Sequence, residues 1–284
     1  MRLLSRCRAR TWLLAAAWVA ATLPVMASAE SITVASTTST ENSGLFEYLL
    51  PIFAQETGIE VKVVAVGTGQ AIRLAQNGDA DVLFVHHRPS EDAFVDQGNG
   101  VKRYGVMYND FVIVGPASDP AGISGSTDTA GSLARIAATE SLFASRGDDS
   151  GTHKKELGLW QTAGVDPSAA NQSWYRETGS GMGATLNTAS GMNAYALTDR
   201  ATWIRFGNKG ELEILAEGDP ALFNPYGVIL VNRDKHPHVN AAAGQAFIDW
   251  LVSEHGQALI GAYRIDGQPA FYPDADSGDA ADQE

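Results

Sequence analysis

The segment 145–152, Ser-Arg-Gly-Asp-Asp-Ser-Gly-Thr, has the residue types of a loop that binds an anion. The guanidinium of Arg146 is a planar fork of N–H donors that matches the oxygens of an oxyanion. The hydroxyls of Ser150 and Thr152 add hydrogen-bond donors without adding charge. Arg146 close to Asp148 is equally compatible with an ordinary surface ion pair, so this loop alone leaves two interpretations open.

Three other segments follow the same plan, in which a predicted strand ends, a short Gly/Ser/Thr segment follows and a predicted helix begins. They are 36–39 (Ser-Thr-Thr-Ser), 67–69 (Gly-Thr-Gly) and 178–183 (Thr-Gly-Ser-Gly-Met-Gly). The start of a helix carries unpaired N–H groups and a partial positive charge, which suits it to bind an anion. Each segment alone is explained by a helix cap or a turn. Four of them in one chain favour a binding site for a small anion.

The histidines do not form a recognisable catalytic or metal-binding pattern. His86 and His87 are adjacent at the end of a predicted strand, where neighbouring side chains point to opposite faces. One metal ion is therefore not easily bound by both. Neither the HExxH motif nor the GxSxG motif of nucleophilic serines occurs in the sequence. We therefore expect a binding protein rather than an enzyme, with no cofactor and no bound metal; an enzyme or a sensor on the same fold is the alternative.

Short β-branched and apolar runs alternate with segments of helical periodicity, which predicts an α/β fold with a largely parallel sheet. Thr38 follows the first predicted strand, and Glu41 comes three residues later, which matches a capping box at the start of a helix. The predicted strands are 31–36, 60–66, 81–85, 108–114 and 226–232, with shorter candidates at 193–197 and 213–216.

Residues 1–29 have the organisation of a secretory signal peptide. Four arginines precede the apolar run 12–26, and Ala27-Ser28-Ala29 forms a cleavage site of small residues. The apolar run is shorter than the roughly 20 residues that a membrane-spanning helix needs. We expect export to the periplasm, and cleavage also removes Cys7, the only cysteine of the chain.

The charge balance excludes nucleic acid as a partner. The chain has 20 Lys and Arg against 33 Asp and Glu; removal of the four arginines of the signal peptide leaves 16 against 33. Nucleic-acid binding depends on clustered Lys and Arg. Surface charge is screened over about 10 Å, so local donors can still bind an anion inside an acidic protein. The acidic segment 273–284 is predicted to be a disordered, solvating tail.

The segments 36–40, 145–153 and 178–182 resemble the corresponding motifs of the tungstate-binding proteins of ABC transporters, and the resemblance extends from Ser31 to about Tyr272. It implies a periplasmic binding protein of type II, with two α/β lobes that close on a ligand in the cleft between them. It implies tungstate or molybdate as the ligand, a monomer, and the membrane permease of an ABC transporter as the partner. By similarity, the oxyanion-contacting positions are Thr38, Ser39, Thr68, Arg146 and Thr152, with Ser150, Gly151 and Met182 as further candidates.

Discontinuous lobes follow from the same resemblance. We expect lobe 1 to contain 30–112 and 225–272 and lobe 2 to contain 113–224, with crossing strands near 111–115 and 223–226. Sites between lobes are common for small ligands.

The arginine loop also resembles that of phosphate-binding relatives, and protonation separates the two ligands. Phosphate near neutral pH carries a hydrogen and benefits from a carboxylate that accepts it, whereas tungstate and molybdate only accept hydrogen bonds. The segment 67–69 contains no acid, which favours the acceptor-only dianions. Residue types do not separate tungstate from molybdate; only the resemblance favours tungstate. Asp148 is left as either a ligand contact or a group that orients Arg146.

Overall fold

The computed structural model describes residues 30–169 and 173–275, so the predicted signal peptide lies outside the described residues. Strands and helices alternate along most of the described chain, and the α/β prediction is confirmed. The strands are β1 (Glu30–Thr37), β2 (Ile59–Val66), β3 (Val82–Val85), β4 (Gly100–Pro116), β5 (Phe143–Ser145), β6 (Tyr175–Glu177), β7 (Ala196–Asp199), β8 (Leu212–Ala216), β9 (Phe223–Val231), β10 (Arg264–Ile265), β11 (Gln268–Pro269) and β12 (Tyr272–Pro273). The α-helices are α1 (Thr38–Asn42), α2 (Leu45–Thr57), α3 (Thr68–Asn77), α4 (Arg88–Asp96), α5 (Thr129–Ala138), α6 (Gly151–Thr162), α7 (Met182–Met192), α8 (Arg200–Arg205), α9 (Ala241–Val252) and α10 (Glu254–Ala262).

The main sheet is mixed rather than largely parallel. Its strand order is β12-β4-β9-β3-β1-β2. β1 is parallel to both β2 and β3, as predicted. β9 runs antiparallel to β3 and to β4, and this part of the prediction is wrong. The apolar run of β9 indicates a buried strand but not its direction, which depends on how the chain returns from its second half.

The long strand β4 takes part in two groups of strands. Its residues from Gly100 to Asp110 pair with β9, and its residues from Phe111 to Pro116 pair with β7 and β8. In this second part, Phe111 and Ile113 pack in one apolar cluster, and Val112 and Val114 in another. Successive side chains of a strand point to opposite faces, so this part of β4 is covered by core on both faces.

Helix α1 begins one residue earlier than the capping-box prediction requires. β1 continues to Thr37, which pairs with Val66. The extended backbone of Thr37 makes it the N-cap, and its Oγ1 accepts a hydrogen bond of 3.3 Å from the N–H of Thr40. Thr38 is therefore the first helical residue rather than the cap.

The C-terminal end of the described chain is part of the sheet. Pro273 belongs to β12, and the N–H of Asp274 donates to the carbonyl of Val106. The rest of the acidic tail, 276–284, lies outside the described residues. Within 30–169 and 173–275, no helix is long and apolar enough to span a bilayer.

Candidate functional site

The first turns of helices α1, α3 and α6 meet around one buried histidine. The backbone N–H of Gly151, at the start of α6, donates a hydrogen bond of 2.9 Å to Oγ1 of Thr68, at the start of α3. Ser39 in α1 places its hydroxyl 3.0 Å from Nε2 of His86. A Cβ atom added to Gly151 would lie 3.2 Å from Cε1 of the same histidine. Three of the predicted loops therefore converge, because each follows a strand at one end of the fold.

Arg146 lies close enough to this cluster for its charge to lower the pKa of His86, and it is only 3% exposed. Its Nη2 donates to Oδ2 of Asp148 at 2.5 Å, while its Nε has no hydrogen-bond partner among the described residues. The hydroxyl of Thr152 is also buried and without a partner there. A buried donor left unpaired costs roughly 1–3 kcal/mol. A bound acceptor that paired with these groups would remove that cost.

Asp148 has both carboxylate oxygens engaged by its own loop. Oδ2 accepts from Arg146, and Oδ1 accepts from the N–H of Ser150 at 3.2 Å. Gly147 and Asp149 on either side adopt positive φ values of 58°, which turn the chain so that the carboxylate folds back onto the guanidinium. This geometry makes Asp148 a group that orients Arg146.

The fourth loop is attached to the arginine loop through the backbone. The N–H of Ser180 donates to the carbonyl of Arg146 at 3.2 Å, and Oγ1 of Thr178 also bonds to that carbonyl. Helix α7 then begins at Met182, whose side chain is buried in an apolar cluster with Ala144. Only the backbone N–H of Met182 is therefore suited to contact an anion.

Ser150 and Thr38, two of the predicted site residues, have surroundings that differ from those of the others. The hydroxyl of Ser150 accepts a hydrogen bond from the N–H of His153 and caps α6. Thr38 is half-buried, and its hydroxyl makes no hydrogen bond within the described chain. The structure therefore brings Ser39, Thr68, Gly151, Arg146 and Thr152 into one buried region, with Thr38 next to it.

His86 is the residue of this region that the sequence interpretation missed. It is 5% exposed, and burial is the main reason why its pKa falls to about 4; the charges of Arg146 and His87 lower it further. Its Nδ1 lies 3.0 Å from Oδ1 of Asn224. Its place at the end of β3 was a usable signal, since polar residues that follow buried strands often line sites.

A cavity of about 500 Å³ opens beside this cluster. His86 and Gly151 line one side of it, and Lys154, Lys155 and Phe223 contribute to the rest. Among the residues that the structure describes, no group of His, Cys, Asp and Glu is arranged to hold a metal ion. The two buried groups of this region without a partner among the described residues, Nε of Arg146 and Oγ1 of Thr152, are both able to donate a hydrogen bond, which suits an anion.

Comparison with known proteins identifies the family. A model of the PBP superfamily domain matches residues 24–255. The tungstate-binding protein TupA of Peptoclostridium acidaminophilum is 49% identical over 249 residues, which cover 86% of each chain. This chain belongs to the TupA family. The predicted resemblance and the fold class, that of a periplasmic binding protein, are both confirmed.

Two solved structures are similar to this TupA-family chain. The tungstate-binding protein TupA of Desulfovibrio alaskensis G20 superposes with a TM-score of 0.77 at 44% identity, covering 87% of this chain and all of that one. The tungstate ABC transporter structure from Geobacter sulfurreducens gives a TM-score of 0.75 at 49% identity, covering 82% of this chain and 99% of that one. These relatives are named for binding and transport.

Proposed function

We propose that this TupA-family chain captures tungstate in the periplasm and delivers it to the membrane permease of an ABC importer. The observation that carries the proposal is the pair of buried, unpaired donors, Nε of Arg146 and Oγ1 of Thr152. Thr152 lies in the first turn of α6, where N–H groups favour negative charge, and Arg146 lies in the loop that leads into this helix. The names of the similar proteins, which specify tungstate and an ABC transporter, point to the same ligand and partner.

The proposed contacts are Thr38, Ser39, Thr68, Arg146 and Thr152 through side chains, with Ser150, Gly151 and Met182 as further candidates through a hydroxyl or a backbone N–H. The proposed lobes are 30–112 with 225–272, and 113–224. In support, β4 pairs with β9 through its first part and with β7 and β8 through its second part. The bond from Gly151 to Thr68 crosses from one proposed lobe to the other. The protein is proposed to act as a monomer, without a cofactor and without catalysis.

Tungstate is preferred to phosphate in this proposal. A hydrogen-bearing phosphate needs a carboxylate that is free to accept its proton. Asp148 has both oxygens engaged by its own loop, and an acceptor-only dianion makes no such demand. Molybdate has the same donor requirements and is the alternative ligand.

The test is thermal unfolding of the mature protein with micromolar tungstate, molybdate, sulfate or phosphate. A ligand at about 100 times its Kd stabilises the folded state by about 2.7 kcal/mol, which corresponds to a rise in Tm of about 5–10 °C at this size. We expect this rise with tungstate, and its loss in Arg146→Ala. The matched control is Arg176→Ala, which removes an exposed arginine from nearby β6 and keeps the rise. A rise with phosphate alone, or with none of the four anions, contradicts the proposal.

A further inference from the structure

A chain of buried hydrogen bonds runs from the candidate site to strands β9 and β4. Oγ of Ser39 lies 3.0 Å from Nε2 of His86, and Nδ1 of His86 lies 3.0 Å from Oδ1 of Asn224. Nδ2 of Asn224 donates to Oδ1 of Asn109 at 2.6 Å. Asn224 lies in β9 and Asn109 in β4, where they are register partners. All four side chains are at least 95% buried.

The direction of each hydrogen bond in this chain is fixed by the Asn224 amide. Its nitrogen donates to Asn109, so its oxygen faces His86 and accepts. Nδ1 of His86 must therefore carry a hydrogen. At neutral pH the buried imidazole is uncharged, since its pKa is lowered to about 4, and Nε2 is left with a lone pair. That lone pair accepts the hydroxyl hydrogen of Ser39.

This arrangement conflicts with the binding of an acceptor-only anion. Ser39 has a single hydroxyl hydrogen, and His86 holds it, so the serine presents only lone pairs to the cleft. If Ser39 turns its hydrogen toward the anion, Nε2 of His86 becomes a buried acceptor without a donor, which is costly. If Nε2 instead acquires a proton, it donates to the oxygen of Ser39, and the hydroxyl hydrogen becomes free to bond the anion.

We propose that His86 is a positioning residue that takes up one proton when the dianion binds and thereby turns the Ser39 hydroxyl toward it. This inference rests on the proposed oxyanion site. The proton comes from solvent, the N–H bond forms at Nε2, and the complex gains one positive charge next to a dianion. Occupancy of the site is thereby linked, through Asn224 and Asn109, to strands β9 and β4.

The groups around His86 explain why its imidazole is neutral without ligand and takes up a proton when the dianion binds. Without ligand, the guanidinium of Arg146 opposes a positive charge on His86. Lys154 and Lys155 of α6 line the adjoining cavity, and burial, together with these two charges, lowers the pKa of the neighbouring His87. The Tyr226 ring packs at 4.8 Å from the imidazole and is uncharged, because its pKa is raised well above its ordinary value. Asp199 is buried near Arg146, and burial raises its pKa. A bound dianion adds two negative charges beside the His86 imidazole and so favours its protonated form.

The sign of the pH dependence follows from linkage. Binding raises the pKa of His86, so the gain in affinity is complete below its ligand-free value of about 4 and is lost as pH rises through the higher value of the complex. Between these two values, affinity for tungstate falls by up to about tenfold for each unit of rising pH.

The first test is isothermal titration of the full mature protein with micromolar tungstate, at pH 6 and pH 8, in buffers that differ in ionisation enthalpy. We expect uptake of close to one proton at pH 6 and weaker binding at pH 8. His86→Gln keeps a side chain that hydrogen-bonds Ser39 but cannot titrate, so it binds with no proton uptake and little pH dependence. The control His87→Gln alters the neighbouring histidine, which bonds Ser90, and keeps the uptake.

The second test reads the imidazole directly. Nitrogen-15 spectra of histidine-labelled protein show a neutral His86 with hydrogen on Nδ1 before tungstate is added, and hydrogen on both nitrogens afterwards. Tungstate binding with zero proton uptake and an unchanged His86 spectrum overturns the inference and leaves the proposed function intact. If none of the four oxyanions gives binding heat, the proposed function itself is overturned.

Discussion

The backbone N–H of Gly151 and the side-chain oxygen of Thr68 form a hydrogen bond of 2.9 Å that joins two helix N-termini 83 residues apart in sequence. Since Oγ1 of Thr68 accepts this bond, the hydroxyl hydrogen remains available to donate to a ligand. Thr68 is completely buried. A single hydroxyl therefore holds α3 and α6 together, and in the proposed site it also donates to the anion.

Because the Thr68 hydroxyl has both roles, its removal is predicted to weaken tungstate binding strongly. We expect Thr68→Val to weaken tungstate binding by about tenfold or more, because the proposed bond to the ligand and the bond to Gly151 are lost, each worth about 1 kcal/mol. Isothermal titration measures the loss. Thr68→Ser retains the hydroxyl and is expected to stay within a few-fold of the parent. Equal losses in both variants would show that the methyl group, rather than the hydroxyl, matters.

A side chain at position Gly151 is predicted to weaken tungstate binding without impairing folding. An added Cβ would lie 2.8 Å from Oγ1 of Thr68 and 3.2 Å from the His86 ring, so the two helix ends must separate. Gly151→Ala should therefore weaken tungstate binding while leaving the Tm of the ligand-free protein nearly unchanged. The control is Gly158→Ala in the same helix, where an added Cβ meets no atom within 4 Å. Unchanged affinity in Gly151→Ala would mean that the N-termini approach less closely in solution.

Asp148 is predicted to strengthen tungstate binding by holding the Arg146 guanidinium in place. Asp148→Asn removes the charge that fixes the guanidinium at 2.5 Å, and charge-assisted bonds are roughly twice as strong as neutral ones. We expect tungstate affinity to fall by about tenfold, measured by titration at low salt. The control is Asp149→Asn, which neutralises the neighbouring, largely exposed carboxylate, at a positive φ that asparagine tolerates. A gain in tungstate affinity in Asp148→Asn would instead place this carboxylate in contact with the ligand.

Glu156 gives a prediction about stability and pH. It is buried, accepts hydrogen bonds from Tyr175 and Trp160, and has a pKa raised to about 7 by burial. The unfolded chain, with an ordinary value near 4.5, loses its proton first as pH rises. Stability is therefore lost between about pH 4.5 and 7, by up to about 3 kcal/mol.

Glu156→Gln removes this dependence because the amide oxygen still accepts both bonds. We expect the variant to be more stable than the parent at pH 8 and no more stable at pH 4.5, as measured by urea unfolding. Glu213→Gln, at an exposed position of β8, should leave the difference between the two pH values unchanged. A Glu156→Gln chain that loses stability at pH 8 would indicate that the ionised carboxylate is stabilising.

The local amino-acid composition was sufficient to predict the donor-rich loops and most of the strands. Predicted strands 31–36, 60–66 and 81–85 differ from β1, β2 and β3 by one residue at each end or less, because short apolar runs bounded by Gly, Asp and Ser are distinct at short range. The first part of β4 was missed because it contains the exposed pair Val101 and Lys102 and lacks an apolar run. The family also followed from local motifs, since the hydroxyl and arginine segments are continuous in sequence.

The sequence by itself determined the α/β class, the four donor-rich loops and Arg146, since each depends on residues that are neighbours along the chain. Only the tertiary structure decided that β9 is antiparallel, that Asp148 is turned onto Arg146, and that His86 lies between Ser39 and Asn224. The last two contacts span 47 and 138 residues. Such contacts, and the desolvation that lowers the pKa of His86, arise from the packing of whole elements, and no local pattern of residue types encodes them.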